Sequence, residues 1–234
     1  VQVVSTKDID KVVQVLREGG IVCAPTDTIY GLLADAGNRR AVERLYEFRR
    51  PSGRPFIVLI PDVEYALNFD ILIPRLGFVL LSFGLTVIFQ KRTTIPTYLT
   101  RWRKSLALRV PSQGTFITKL MKKFGGPLVA PSANPEGMPP ARDVKEAMDY
   151  FGDKIDLYVR GPRLEGNPST IVKFVSGKTI KIVREGSAKG KGLSNSAPLS
   201  RYRGPFALRY PSFSPLVSPL ESFSWACPPC PLHR

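Results

Sequence analysis

Hydroxyls, one carboxylate and one phenol crowd the stretch Pro25-Thr26-Asp27-Thr28-Ile29-Tyr30-Gly31, which follows the short apolar run Ile21-Val22-Cys23. Pro25 and Gly31 disfavour a regular helix there. The stretch reads either as a polar turn or as a small-molecule site at a strand end, where open α/β sheets bind ligands. Four further segments share its character. Arg49-Arg50-Pro51-Ser52-Gly53-Arg54-Pro55 sets three arginines within six residues, a pattern able to grip phosphate oxygens with forked hydrogen bonds. Ser105 to Arg109 holds a lone arginine in an apolar strand pattern. A buried arginine requires an anionic partner, either a protein carboxylate or a ligand carboxylate. Pro131-Ser132-Ala133-Asn134 follows an apolar run, as a turn or again as a ligand position. Pro168-Ser169-Thr170 opens a strand pattern, and Arg184-Glu185-Gly186 closes the last one. Such a set of groups binds and aligns polyanions. It is poorly equipped to move protons, so catalysis by it would rest on positioning and charge neutralisation.

The scarce residue types exclude several chemistries. The single histidine is His233, far from every segment named above. Ser-His-Asp and Cys-His mechanisms are therefore excluded from the body of the chain, as are zinc sites that need a core histidine. Cys227 and Cys230 form one C-P-P-C in a proline-rich setting, which reads as incidental, and Cys23 reads as a small core residue. No G-x-x-x-x-G-K-[ST] loop is present to cradle phosphates.

Positioning these groups falls to mixed helices and strands. Apolar spacing predicts helices over 8–18, 39–48, 75–81, 115–124 and 142–151. It predicts strands over 21–24, 56–60, 85–89, 106–110, 127–130, 156–159, 170–174 and 179–183. That mixture implies a layered α/β or α+β domain over residues 1–192. Residues 193–234 hold eight of the 22 prolines, eight serines and no lysine, and read as a poorly ordered linker or tail. The net charge is +15, and the tail supplies only four arginines against Glu221, so the basic character belongs to the domain. Excess positive charge of this size points to polyphosphate, nucleic acid or another anionic partner. No apolar run approaches the roughly 20 residues of a membrane span, and no signal-peptide pattern occurs, so a cytoplasmic protein without a membrane partner is expected.

Taken in order, five segments resemble the YrdC-like threonylcarbamoyl-AMP synthases: Pro25 to Leu32, the basic loop 49–55, Leu106-Ala107-Leu108-Arg109-Val110-Pro111, Pro131 to Asn134 with Gly137, and Pro168 to Val172 followed by Val183 to Gly186. The resemblance spans roughly residues 5–188. It implies a twisted open mixed sheet with flanking helices around a basic concave cavity. It also implies a reaction in which L-threonine, bicarbonate and ATP, with Mg2+ carried on the phosphates rather than on protein side chains, give threonylcarbamoyl-AMP and pyrophosphate. The product would serve tRNA modification, by direct contact with tRNA or through a threonylcarbamoyl-transferase partner. Carried over by position, Thr28, Tyr30, Arg109 and Ser169 would line the threonine site, with Arg109 on its carboxylate. Arg49, Arg50 and Arg54 would face ATP phosphates, while Ser105, Ser132, Asn134 and Arg184 would line the nucleotide. Arg50 and Thr28 would do the aligning.

The chain departs from the family pattern in places. The usual lysine-x-arginine becomes Arg49-Arg50 with one residue deleted, a histidine in the next strand becomes Leu59, and an aspartate-glycine-glycine becomes Glu165-Gly166-Asn167. Two other functions compete with the synthase: a structured-RNA-binding module that uses the basic cavity without catalysis, and a carbamoyl-transfer relative.

Overall fold

Eleven strands pair into one mixed sheet, and side-chain alternation along them decides which residues reach which covering helix. In the computed structural model, which describes residues 1–176 and 179–187, the elements run in chain order β1 (Val3–Ser5), α1 (Ile9–Arg17), β2 (Val22–Pro25), β3 (Tyr30–Asp35), α2 (Arg39–Arg49), β4 (Ile57–Leu59), β5 (Ile71–Leu72), α3 (Arg75–Ser82), β6 (Thr86–Lys91), α4 (Thr97–Thr100), β7 (Ser105–Arg109), α5 (Phe116–Phe124), β8 (Leu128–Val129), α6 (Val144–Phe151), β9 (Leu157–Arg160), β10 (Ile171–Ser176) and β11 (Thr179–Arg184). The strand order is β1-β9-β2-β3-β8-β4-β7-β6-β10-β11, with β5 paired to β6 beside this path, so the sheet is open and ends on β1 and β11. Parallel pairs (β1 with β9, β9 with β2, β4 with β7, β6 with β10) are mixed with antiparallel ones. The tail expected over 193–234 lies outside the described residues.

On one face Val22, Ala24, Leu33, Leu59 and Leu128 meet α1 and α5, which contribute Val12, Leu16, Ile117 and Leu120. Their neighbours along the strands, among them Cys23, Leu32, Ala34, Val58 and Leu108, face the larger cluster with α2, α3 and α6. Burial pushes the Cys23 thiol far above its ordinary range, which keeps it protonated and inert as the sequence predicts. The helices start where side chains can cap them. Asn38 Oδ1 accepts from the Ala41 N–H, and Asp143 accepts from the Glu146 N–H while Glu146 accepts from the Arg142 N–H.

The α1/α5 cover stops short. Ile57 of β4 still packs at the edge of that cluster, but its register partners outward, Ala107 of β7 and Ile88 of β6, are only half-buried, and Lys173 and Lys181 beyond them are exposed. Among the described residues no helix is long and apolar enough to cross a membrane.

The predicted helices and strands form within a few residues of their expected limits. The strand β3 is new. It lies where the sequence reads as a polar turn, and five of its six residues are buried. A strand packed on both faces loses the polar-apolar alternation that would announce it. The strands β1 and β5 and the single-turn α4 were also not predicted, being too short to show a period.

Candidate functional site

Two arginine-centred clusters meet where β2, β7 and β8 end and β10 begins. The first is built on Arg109, the last residue of β7. The Thr26 side chain accepts from the Thr28 and Ile29 N–H groups and donates to the Ile29 carbonyl, folding the loop after β2 so that Asp27 turns inward. Asp27 takes both Arg109 terminal nitrogens in a forked pair at 2.8 Å each. Its side chain is 1% exposed and that of Arg109 5%. Burial alone raises the Asp27 pKa, but the Arg109 charge, the paired hydrogen bonds and the Ser112 N–H at 2.9 Å outweigh it and hold the carboxyl below its usual range. Arg109 Nε donates to the Gly84 carbonyl at 3.0 Å. Three of the five guanidinium N–H groups are thereby engaged, and among the described residues two are left for another acceptor. The sequence left the anionic partner of Arg109 open between protein and ligand; the pairing identifies a protein carboxylate.

Ser169 stands beside this pair. Its buried hydroxyl shares a 2.7 Å hydrogen bond with Thr86, the first residue of β6, and its carbonyl accepts from Arg184 Nη2 at 2.8 Å. Two glycines let these segments close. A Cβ on Gly166 would stand 2.6 Å from the Thr28 carbonyl oxygen, and one on Gly186 would collide with the Pro168 carbonyl. Thr28 is half-buried at the rim.

The second cluster is built on α2 and the loop after it. Arg49 is 3% exposed and spends its guanidinium on neutral acceptors: the Ser132 carbonyl at 2.7 Å, Ser132 Oγ at 2.9 Å and Asn134 Oδ1 at 3.1 Å. Burial, then the nearby Arg50 charge, lower its pKa to about 10. Asn134 Nδ2 donates to the Pro135 and Met138 carbonyls, which commits both ends of that amide. Arg50 Nη1 donates to the Arg54 and Pro55 carbonyls, while its Nε is buried without a partner among the described residues. Ser52 holds Glu136 through both its N–H and its hydroxyl.

The two clusters are one site. Ser132 bridges Gly31, and the Leu32 N–H donates to the Pro131 carbonyl at 2.9 Å, so the Ser132 turn lies against the threonine-rich loop. Burial and then the Arg54 charge depress the pKa values of both Arg50 and Arg184, with Arg109 adding to the effect on Arg184 and Arg184 to that on Arg50. Arg50 and Arg184, more than a hundred residues apart in sequence, thus both sense the Arg54 charge. Five arginines face two carboxylates, Asp27 and Glu136, and the surplus charge sits on the Arg50, Arg54 and Arg184 side.

Several predicted residues stand elsewhere. Tyr30 is fully buried, its hydroxyl accepting from the Gly161 N–H at 3.1 Å, so it supports the site from behind rather than lining it. Arg49 is a strut between α2 and the Ser132 turn, because its guanidinium points into protein and is consumed there. Ser105 shares a face of β7 with Arg109 but lies four residues away, roughly 13 Å along the strand, outside the cluster. Sequence reasoning missed Asp27 and Thr86 as site residues. The signal for Asp27 was present, since a single carboxylate in a threonine loop is a natural partner for a single arginine in an apolar strand.

The family Sua5/YciO/YrdC, described as telomere recombination, matches residues 14–186. A threonylcarbamoyl-AMP synthase of Coxiella burnetii is 32% identical over 185 residues, covering 76% of this chain and 98% of the relative. Among solved structures, P. abyssi Sua5 complexed with L-threonine superposes with a TM-score of 0.71 at 28% identity, over 78% of this chain and 55% of that one. The chain therefore spans about half the length of that protein. E. coli YciO gives a TM-score of 0.68 at 25% identity, over 79% and 93% of the two chains.

Proposed function

This chain belongs to the Sua5/YciO/YrdC family, and we propose that it synthesises threonylcarbamoyl-AMP from L-threonine, bicarbonate and ATP, releasing pyrophosphate. The observation that carries this reading is the split charge of the site. The Arg109–Asp27 pair is internally neutral and keeps two guanidinium N–H groups unspent, which suits a zwitterion such as an amino acid. The adjoining Arg50, Arg54 and Arg184 carry surplus charge without a buried carboxylate, which suits a triphosphate.

In this scheme the threonine carboxylate meets the outer edge of Arg109, with Thr28 and Ser169 closing around it. The triphosphate lies along Arg50, Arg54 and Arg184, and Ser132 faces the nucleotide. Arg49, Asn134 and Tyr30 act from behind by fixing the Ser132 turn and the threonine loop. The threonine amine attacks bicarbonate carbon, giving a carbamate and water. A carbamate oxygen then attacks the α-phosphorus and expels pyrophosphate. Both steps gain most from alignment and from guanidinium groups facing the phosphate charge. Mg2+ would be carried by the phosphates, because Asp27 is engaged with Arg109 and Ser112, and Glu136 with Ser52. The product would pass to an enzyme that transfers the threonylcarbamoyl group to tRNA in the cytoplasm.

The test is release of pyrophosphate from ATP in bicarbonate buffer, with and without L-threonine. Strict dependence on threonine, with threonylcarbamoyl-AMP detected by mass, is the expected result. Turnover indifferent to threonine, or turnover that requires carbamoyl phosphate, would overturn it.

A further inference from the structure

Four side chains from three segments pack on one another beside the phosphate side of the site. The Arg101 guanidinium lies over the Tyr46 ring at 4.6 Å. Tyr46 stacks on Phe56 with ring centroids 4.0 Å apart and planes within 11°. The Arg50 guanidinium lies over the Phe56 ring at 5.2 Å from its centroid. The Tyr46 hydroxyl accepts from the Phe56 N–H, which locks the two rings in register.

The backbone is distorted to place Arg101 there. Arg101 and Trp102 are the two non-glycine residues with positive φ among the described residues, at 46° and 65°. Consecutive left-handed L-residues are unfavourable and persist only where their surroundings hold them. Here α4 ends on Arg101, whose N–H bonds the Thr97 carbonyl, and the side chain returns over Tyr46 with an ideal Cβ position on Gly53 3.4 Å from its Nη2. Trp102, by contrast, is 82% exposed, so the turn is shaped for the arginine and not to bury the tryptophan.

At the other end of the stack, Arg50 has Nη1 tied to two loop carbonyls and a buried Nε with no acceptor. A guanidinium set over a ring, anchored through Nη1 and with Nε and Nη2 lacking acceptors among the described residues, is prepared for a ligand oxygen.

We propose that Arg101 is a positioning residue for the nucleotide phosphates, acting through Tyr46 and Phe56 to fix the position of Arg50 without touching the ligand. This rests on the assignment of Arg50 to a polyphosphate. It deepens that assignment by naming a device outside the site that sets its affinity.

Calorimetric binding of inorganic tripolyphosphate to the full chain tests the idea without requiring turnover. Arg101→Ala is expected to weaken binding about threefold to tenfold, as loss of a cation–π contact would. The loss should persist in 0.5 M salt, because it comes from geometry and not from a long-range field. Arg50→Ala should abolish most binding, and Arg50→Ala with Arg101→Ala should be no weaker than Arg50→Ala alone. In turnover, Arg101→Ala should raise the ATP KM and move the threonine KM less than twofold. Unchanged tripolyphosphate binding in Arg101→Ala, additive effects of the two substitutions, or a loss that disappears at high salt would each overturn the proposal. Tripolyphosphate binding with this pattern but no threonine-dependent turnover would leave the positioning role standing and overturn the synthase reading instead.

Discussion

The Arg109 and Arg49 clusters sit side by side and use buried arginine in opposite ways. Arg109 has a carboxylate, Asp27, forked onto it. Arg49 has only a carbonyl, a hydroxyl and an amide, with a second arginine next to it, and its pKa falls to about 10. An ion pair that cancels its own charge can sit deep and still present spare hydrogen-bond donors. A run of arginines with only the exposed Glu136 beside it stores repulsion that a bound polyanion would relieve. The contrast supports the proposed placement of a zwitterion on one side and phosphates on the other more than any single residue does.

Substitutions at the two arginines should break that contrast unequally. Arg109→Ala strands a buried Asp27 carboxylate, and a loss of about 3–5 kcal/mol in denaturant unfolding is expected, with Asp27→Asn added to it recovering part of the loss. Any folded fraction should need far more threonine but nearly the same ATP; equal shifts in both requirements would erase the distinction. Arg50→Ala should leave stability nearly intact and cut turnover about 100-fold, as removal of one donor to a developing charge does. Arg49→Met removes three hydrogen bonds but also a buried unpaired charge, so a smaller loss of about 1–3 kcal/mol is expected. If Arg49→Met costs more than Arg109→Ala, the roles of strut and paired charge are reversed. Acid gives the mildest test. The folded pKa of Asp27 lies below its unfolded value of about 3.9. Its stabilisation is therefore complete above that pH and is lost as pH falls through the folded value. The stability gap between the wild type and Asp27→Asn should narrow from pH 6 to pH 3, and a gap that widens would mean the pair is not the source.

Much of this molecule was legible in residue order. The helix α5 shows because Ile117, Leu120 and Met121 recur at helical spacing and Gly125 ends it. The site segments show because Thr26, Thr28, Ser132 and Ser169 cluster at the ends of apolar runs. The strand β3 did not show, because burial on both faces removes its period. The strut role of Arg49 did not show either. Its neighbour Arg50 is chemically identical, and one step along the end of a helix turns one guanidinium into protein and the other toward the loop.

Residue types and their spacing determined the chemistry available to this protein: hydroxyls and arginines, no histidine in the body, and a surplus of positive charge. Tertiary structure decided which arginine is neutralised, because Asp27 and Arg109 are 82 residues apart and only the arrangement of β2 and β7 ends brings them together. It decided as well that Tyr30 and Arg49 work from behind the site, since burial and hydrogen-bond saturation depend on what the rest of the chain packs around a side chain.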